Sequence, residues 1–154
     1  MLCTASIDDI ALLSTVKAGF SEADVVARFQ WLATVNVTWH VWWETHQPCG
    51  WALIQWAGKP TAPYCPDLFD LYVNHNWRGQ SIGTQILSAC EKIVAARGFT
   101  KLGLAVNPDD NPRAYALYQK LGYAAIRQAR YLDGVYNGVE DWVIDLEKQL
   151  WHDS

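Results

Sequence analysis

Apolar and polar positions alternate most regularly over residues 68–73, Leu-Phe-Asp-Leu-Tyr-Val. Phe69, Leu71 and Val73 share one parity, and Asp70 and Tyr72 share the other. A period of two in a run of β-formers predicts a strand, with the first set facing a core. After a polar turn at 74–77 the period lengthens. Ile82, Ile86, Cys90 and Ile93 recur at helical spacing, and Gly98 closes the run. A second strand is expected over 101–106. Asn111 then stands as an N-cap, Pro112 suits a first helical position, and Gly122 is placed to end that helix.

The same reading extends in both directions. Residues 1–6 form a candidate first strand. Asp8 and Asp9 open a helix carrying Ile10, Leu13, Val16 and Lys17, and Ser21 caps a second whose apolar stripe is Val25, Phe29 and Leu32. Strands are expected over 37–45 and 50–57, joined by a turn at 46–49. On the first of these, Trp39 shares a face with Val41 and Trp43, and Trp42 points the other way. Three prolines make 58–66 an irregular loop. Two further strands, 125–132 and 140–146, flank a turn at Asp133-Gly134. The order β-α-α-β-β-β-α-β-α-β-β is a mixed α/β (α+β) arrangement, with no internal repeat and no linker.

Composition narrows the class. A chain of 154 residues, 51% hydrophobic and 18% charged, is expected to be one globular domain. A net charge of −4 without a Lys/Arg cluster argues against nucleic acid as a partner. The four cysteines include no C-x-x-C and no histidine at zinc-ligand spacing, so no metal is expected. Cys90 falls on the buried side of its helix and reads as a core thiol. His40, His46, His75 and His152 are scattered and form no catalytic pattern. The N-terminal stretch has neither the basic region nor the apolar run of a leader or membrane span, which makes the cytoplasm the expected location.

Candidate chemistry lies where the central strand meets its helix. The segment Arg78-Gly79-Gln80-Ser81-Ile82-Gly83-Thr84 is a glycine-containing turn that opens a helix. Its unpaired N–H groups and the positive end of the helix dipole suit a phosphate. The dinucleotide pattern G-x-G-x-x-G and the G-x-x-x-x-G-K-[ST] loop are both absent. After the strand 101–106 comes Asn111, with Ala114, Leu117, Tyr118, Gly122 and Tyr123 following at fixed offsets.

These two segments, in this order, resemble the GNAT superfamily of acetyl-CoA-dependent N-acetyltransferases. Its cofactor loop, Q/R-x-x-G-x-G/A, is matched at Arg78 and Gly83, with Ser81 replacing the middle glycine. Its later pattern, N-x-x-A-x-x-L-Y-x-x-x-G-F/Y, is matched from Asn111 to Tyr123. The likeness is specific over 67–123 and general elsewhere. It implies a twisted, mostly antiparallel sheet whose fourth and fifth strands run parallel and splay apart around the cofactor. It also implies acetyl-CoA as co-substrate, with contacts from Arg78, Gly79, Gln80, Ser81, Ile82, Gly83 and Thr84. Arg78 is either a phosphate contact or a surface residue. The pantetheine arm and the thioester carbonyl would meet the backbone of Leu71, Tyr72 and Val73. Asn111 caps its helix and by resemblance also reaches the arm.

Acetyl transfer to an amine requires that the amine lose a proton and that the thiolate leave. Tyr118 matches the residue that donates to the departing sulfur, its alternative being packing beside Leu117 and Leu121. Asp70 matches an aspartate of polyamine-type members, as a base or an acceptor contact, its alternative being a structural carboxylate. Asp67 is the second candidate. Ala105 stands where N-terminal acetyltransferases carry a glutamate. Trp31 is a candidate wall of the acceptor cleft, where an aromatic face would attract a cation. The expected reaction is direct transfer to a primary amine of a small molecule, such as a polyamine, amino acid or aminoglycoside. Protein N-termini or lysines, or a non-catalytic acyl-CoA sensor, are the alternatives. By analogy with dimeric relatives, 140–146 is a candidate homodimer contact.

Overall fold

The computed structural model describes residues 1–63, 65–127 and 130–150. Strands are β1 (Leu2–Thr4), β2 (Val37–Glu44), β3 (Gln47–Gln55), β4 (Gly58–Lys59), β5 (Ala62–Pro63), β6 (Asp67–Val73), β7 (Lys101–Val106), β8 (Ala124–Ala125), β9 (Tyr131–Tyr136) and β10 (Val139–Gln149). Helices are α1 (Ile10–Leu13), α2 (Glu22–Leu32), α3 (Ile82–Ala96) and α4 (Pro112–Lys120), with 3₁₀ turns before α1 and after β6. The main sheet runs β1-β2-β3-β6-β7-β10-β8, and β9 pairs with β10. All these pairs are antiparallel except β6 with β7. This is the mixed sheet expected from the resemblance, with β6 and β7 as its parallel centre.

Each sheet face has its own core. Ala52, Ile54, Leu68, Leu104 and Leu146 pack with Ile86, Leu87, Cys90 and Val94 of α3. On the other face, Trp39, Val41, Trp51 and Leu53 pack with Leu13, Val16 and Val25 from the α1 and α2 region. Trp43 joins this second core and Trp42 the first, as the strand alternation requires. At Gly50 a side chain would meet the Tyr72 carbonyl at 2.5 Å, so β3 and β6 approach closely there because glycine is present.

Some boundaries depart from the sequence reading. The β2–β3 connection is the pair Thr45-His46, and residues 47–49 are already in β3. The left-handed Thr45, φ +56°, makes so tight a turn workable. The helix opened by Asp8 and Asp9 is only a 3₁₀ turn and four α residues, leaving Val16 and Lys17 beyond it. Residues 58–66, read as irregular, contain the small β4–β5 hairpin. The last hairpin turns at Asn137-Gly138, with φ of +52° and +79°, and Asp133-Gly134 lies inside β9. Positions 128 and 129 of the expected 125–132 strand lie outside the described residues, as does His152.

The largest departure is in β6. Trp51 pairs with Tyr72 and Leu53 with Phe69, so Asp70 and Leu71 together oppose Ala52. This is a β-bulge, and Asp70 takes the left-handed φ of +49°. The bulge shifts the alternation by one residue. Leu71 and Val73 face the α3 core, whereas Phe69 joins Tyr72 on the opposite face. The expected common face for Phe69, Leu71 and Val73 is therefore not formed.

Candidate active site

β6 and β7 pair only at Asp67↔Gly103 and Leu68↔Leu104. Beyond Leu68 they diverge, and the β7-facing edge of β6 has no strand partner among the described residues. The bulge coincides with this divergence, because the extra residue bends the strand and increases its twist. The gap opens into a cleft of about 350 Å³. Asp67, Leu68, Phe69 and Asp70 form its β6 wall, Ala105 and Val106 its β7 wall, and Asn111, Ala114 and Tyr118 its α4 side. A larger cavity of about 400 Å³, beside Cys65 and Phe99, lies away from these residues.

At the other end of β6, Val73, Arg78, Gly79, Ser81, Ile82, Gly83, Thr84 and Leu117 line a depression of about 180 Å³. Gln85 donates to the Ser81 carbonyl at 3.0 Å, so the N–H groups of Ile82, Gly83 and Thr84 precede the first α3 bond and stay available. Gly79 has φ +80°, and a Cβ there would meet nothing within 4 Å. Its need for glycine is therefore conformational, and the turn itself is not crowded. Ser81 also adopts a left-handed φ, +63°, and makes no side-chain cap bond. Serine thus holds, at some strain, a backbone shape that glycine adopts freely. Arg78 donates from Nε to the Val73 carbonyl at 3.0 Å and lies over the Tyr72 ring, which ties the loop to the strand end.

Asn111 accepts from Ala114 N–H at 3.2 Å and caps α4, with its side chain at the cleft edge. Tyr118 points into the cleft from the same helix. Its ring meets Tyr123 edge-on at 6.2 Å, while its hydroxyl has no protein hydrogen bond among the described residues. Burial raises its pKa above the usual phenol value, so the group keeps its proton. Tyr123, in contrast, donates to Glu91 at 2.7 Å and is held away from the cleft chemistry.

The two candidate carboxylates have different surroundings. Asp67 is buried at the foot of the splay, with Lys59 Nζ 3.2 Å from an oxygen that makes no hydrogen bond among the described residues. Burial outweighs the lysine and raises its pKa to about 6. Lys59 also donates to Asp145 at 2.6 Å, and the Tyr131 hydroxyl donates to the same oxygen. Burial alone would lower the lysine pKa, but Asp67 and Asp145 together raise it, and the ammonium stays charged. Asp70 accepts from Arg28 Nη2 at 3.0 Å and from Trp51 Nε1 at 3.2 Å, and Lys17 stands 3.6 Å away. Trp31 is exposed and meets Phe69 edge-on at 6.5 Å, outside the lining of the cleft.

A family model described as the acetyltransferase (GNAT) family matches residues 5–123. The chain belongs to this family. The splayed strands, the open edge of β6 and the free N–H groups of α3 suit the acetyl-CoA that this family uses. YncA of Salmonella typhimurium, solved with its cofactor acetyl-CoA, superposes with a TM-score of 0.73 at 16% identity, over 100% of this chain and 95% of that one. A ribosomal-protein-alanine N-acetyltransferase from Brucella melitensis gives 0.75 at 21% identity, over 97% and 99%. In sequence, a thialysine N-epsilon-acetyltransferase from Bos taurus is 39% identical over 62 residues, 40% of this chain. The chain spans 36% of that relative's length.

Three features of the GNAT site escaped the sequence reading. Lys59 sat in a segment read as irregular and carried no signal. Asp133 and Asp141 reach the cleft because the last hairpin turns later than expected. Arg28 did carry one, as a cation one turn after Val25 inside an apolar stripe. No group of His, Cys, Asp and Glu among the described residues could hold a metal, and none of their helices is long and apolar enough to cross a membrane.

Proposed function

We propose that this GNAT enzyme acetylates a primary amine on a small molecule that carries a second cationic group. One observation carries the reading: five carboxylates, Asp67, Asp70, Asp110, Asp133 and Asp141, line the cleft against the single ammonium of Lys59. Of these, Asp110, Asp133 and Asp141 have no ion-pair partner among the described residues, whereas Asp67 and Asp70 are paired. Carboxylates that line a cleft without a counter-ion favour an acceptor with a second, distal ammonium, and polyamines, basic amino acids and aminoglycosides have one. The thialysine acetyltransferase similarity over 62 residues supports the same class.

In this reading, the N–H groups that open α3 hold the pyrophosphate and the free edge of β6 takes the pantetheine arm. Backbone N–H groups in Leu71, Tyr72 and Val73 receive the negative charge that grows on the thioester carbonyl. Asp67, with a pKa near that of a neutral-pH base, accepts the ammonium proton directly or through water. Tyr118 donates a hydrogen bond to the sulfur as the C–S bond breaks. Four free cysteines, three of them buried, support a reducing compartment such as the cytoplasm. We also propose a homodimer through the β9–β10 region, whose Val135, Tyr136 and Val139 are exposed; light scattering tests it.

Steady-state turnover with a matched acceptor pair tests the substrate reading. A diamine should give at least tenfold higher kcat/KM than the monoamine of equal length. Asp133→Asn with Asp141→Asn should erase that preference. Equal rates for the pair, or faster turnover of peptide N-termini, would refute it.

A further inference from the structure

Arg28 has no part in the reaction as described, yet it is the most enclosed cation in the second core. Its guanidinium carbon lies 4.7, 4.8 and 5.3 Å from the ring centroids of Phe20, Trp39 and Trp51. One terminal nitrogen has no hydrogen-bond partner among the described residues, and the other donates to Asp70 Oδ2. The Trp51 indole donates to that same oxygen, and Lys17 faces the other. The aromatic box that could have received an acceptor's cation is thus filled by the protein's own arginine.

We propose that Arg28, with Trp51, is a positioning residue that holds the β6 bulge in place through Asp70, and that the Asp70 carboxylate is an anchor and not the proton acceptor. This rests on the acetyl-transfer reading of the cleft. Asp70 adopts a left-handed φ that an L residue disfavours, so something must hold it there. Two hydrogen bonds to one carboxylate oxygen, from donors fixed by stacked rings, supply that hold. Without it β6 can relax to an unbroken ladder against β3, with Ala52 opposite a single residue. Relaxation would return Phe69 to the parity of Leu71 and turn the N–H groups that face the β7 gap. Those groups are the ones assigned to the thioester carbonyl, so the anchor acts on rate at a distance. Proton acceptance fits Asp70 poorly. Neutralising it would strand Arg28 in an aromatic box and leave Lys17 facing no charge.

The two roles separate experimentally. Asn at position 70 keeps an acceptor oxygen for Trp51 and Arg28 and tolerates the left-handed region. Asp70→Asn should therefore lower kcat by about tenfold or less, whereas removal of a general base costs about 100-fold or more. Arg28→Ala should lower kcat by tenfold or more with KM for acetyl-CoA within threefold. Millimolar methylguanidinium should restore much of that rate by refilling the box, and Arg28→Lys should retain part of it. A structure of Arg28→Met reads the bulge without reference to turnover, and should show residue 70 out of the left-handed region. A 100-fold loss in Asp70→Asn, wild-type kcat in Arg28→Ala, or an unchanged bulge in Arg28→Met would each overturn the anchor. Absence of turnover by the wild type with every amine would instead sink the acetyl-transfer reading, while the Arg28→Met backbone still decides the anchor.

Discussion

Tyr118→Phe is the most informative single substitution, because the structure separates its chemical effect from its structural one. The hydroxyl has no protein partner among the described residues, so its removal strands no group there. The ring stays, with its edge contact to Tyr123. The variant should accordingly melt within about 1 °C of the wild type, as expected when no contact is lost. In the reaction the phenol donates to a sulfur that is gaining charge. A hydrogen bond to a charged group contributes about 1.5–3 kcal/mol, which corresponds to roughly 10- to 150-fold in kcat. Complete proton transfer is a separate matter. An ordinary phenol near pKa 10 is already a weaker acid than a thiol near 8.5, and burial raises the Tyr118 pKa further. The group therefore acts as a donor that keeps its proton. Thiol release followed by a colorimetric reagent gives kcat, and calorimetric titration gives CoA affinity. The account requires kcat to fall while the affinity stays within threefold. An unchanged kcat would remove Tyr118 from the mechanism, and a parallel fall in melting temperature would make it a packing residue.

Three other outcomes follow from the geometry. The Asp67 pKa stands above its ordinary value of 3.8, so the folded state keeps a proton that the unfolded chain has lost. That stability is full below pH 3.8 and is lost as pH rises through about 6. Relative to Asp67→Asn, the wild type should lose about 3 kcal/mol between pH 4 and 7 in urea titrations; a constant difference would refute this. His40, buried beside Thr38 and held to about 4 by burial and by Arg97, has the opposite sign. Its contribution is present above pH 6.5 and lost as pH falls through about 4, so His40→Gln should flatten the acid side of the stability profile. An unaltered acid limb would count against it. Gly79→Ala should cost roughly 1–2 kcal/mol for a left-handed L residue and weaken CoA binding more than tenfold, because relaxing that φ reshapes the loop that lines the phosphate depression. Unchanged CoA affinity would show that the depression is not the phosphate site.

Much of the frame was legible because its signals are local. Residues 101–106 alternate and sit between clear turns, and the Asn111-Pro112 start fixes α4. Ser21 and Asp24 form a reciprocal capping box, so α2 begins where the sequence says. The misplaced elements have competing or non-local causes. Asp133-Gly134 and Asn137-Gly138 are both hairpin signals, and the second wins because β10 continues to pair with β7 as far as Gln149. The bulge in β6 cannot be read from a strand that alternates cleanly, since its anchors lie 19 and 42 residues away in sequence. The site divides in the same way. The loop 78–84 and Tyr118 are visible as a spaced pattern, whereas Lys59, Asp133 and Asp141 meet only after the last hairpin folds over the cleft.

The central claim is acetyl transfer from acetyl-CoA to a small cationic amine. The most direct test is to incubate the purified protein with acetyl-CoA and polyamines, basic amino acids, aminoglycosides and short peptides, measuring thiol release and the mass of each product. The account predicts a 42 Da gain, the mass an acetyl group adds, on a primary amine of one cationic small-molecule class, with one thiol released per product. Thiol release without an acetylated amine, or acetylation of peptides alone, would contradict it.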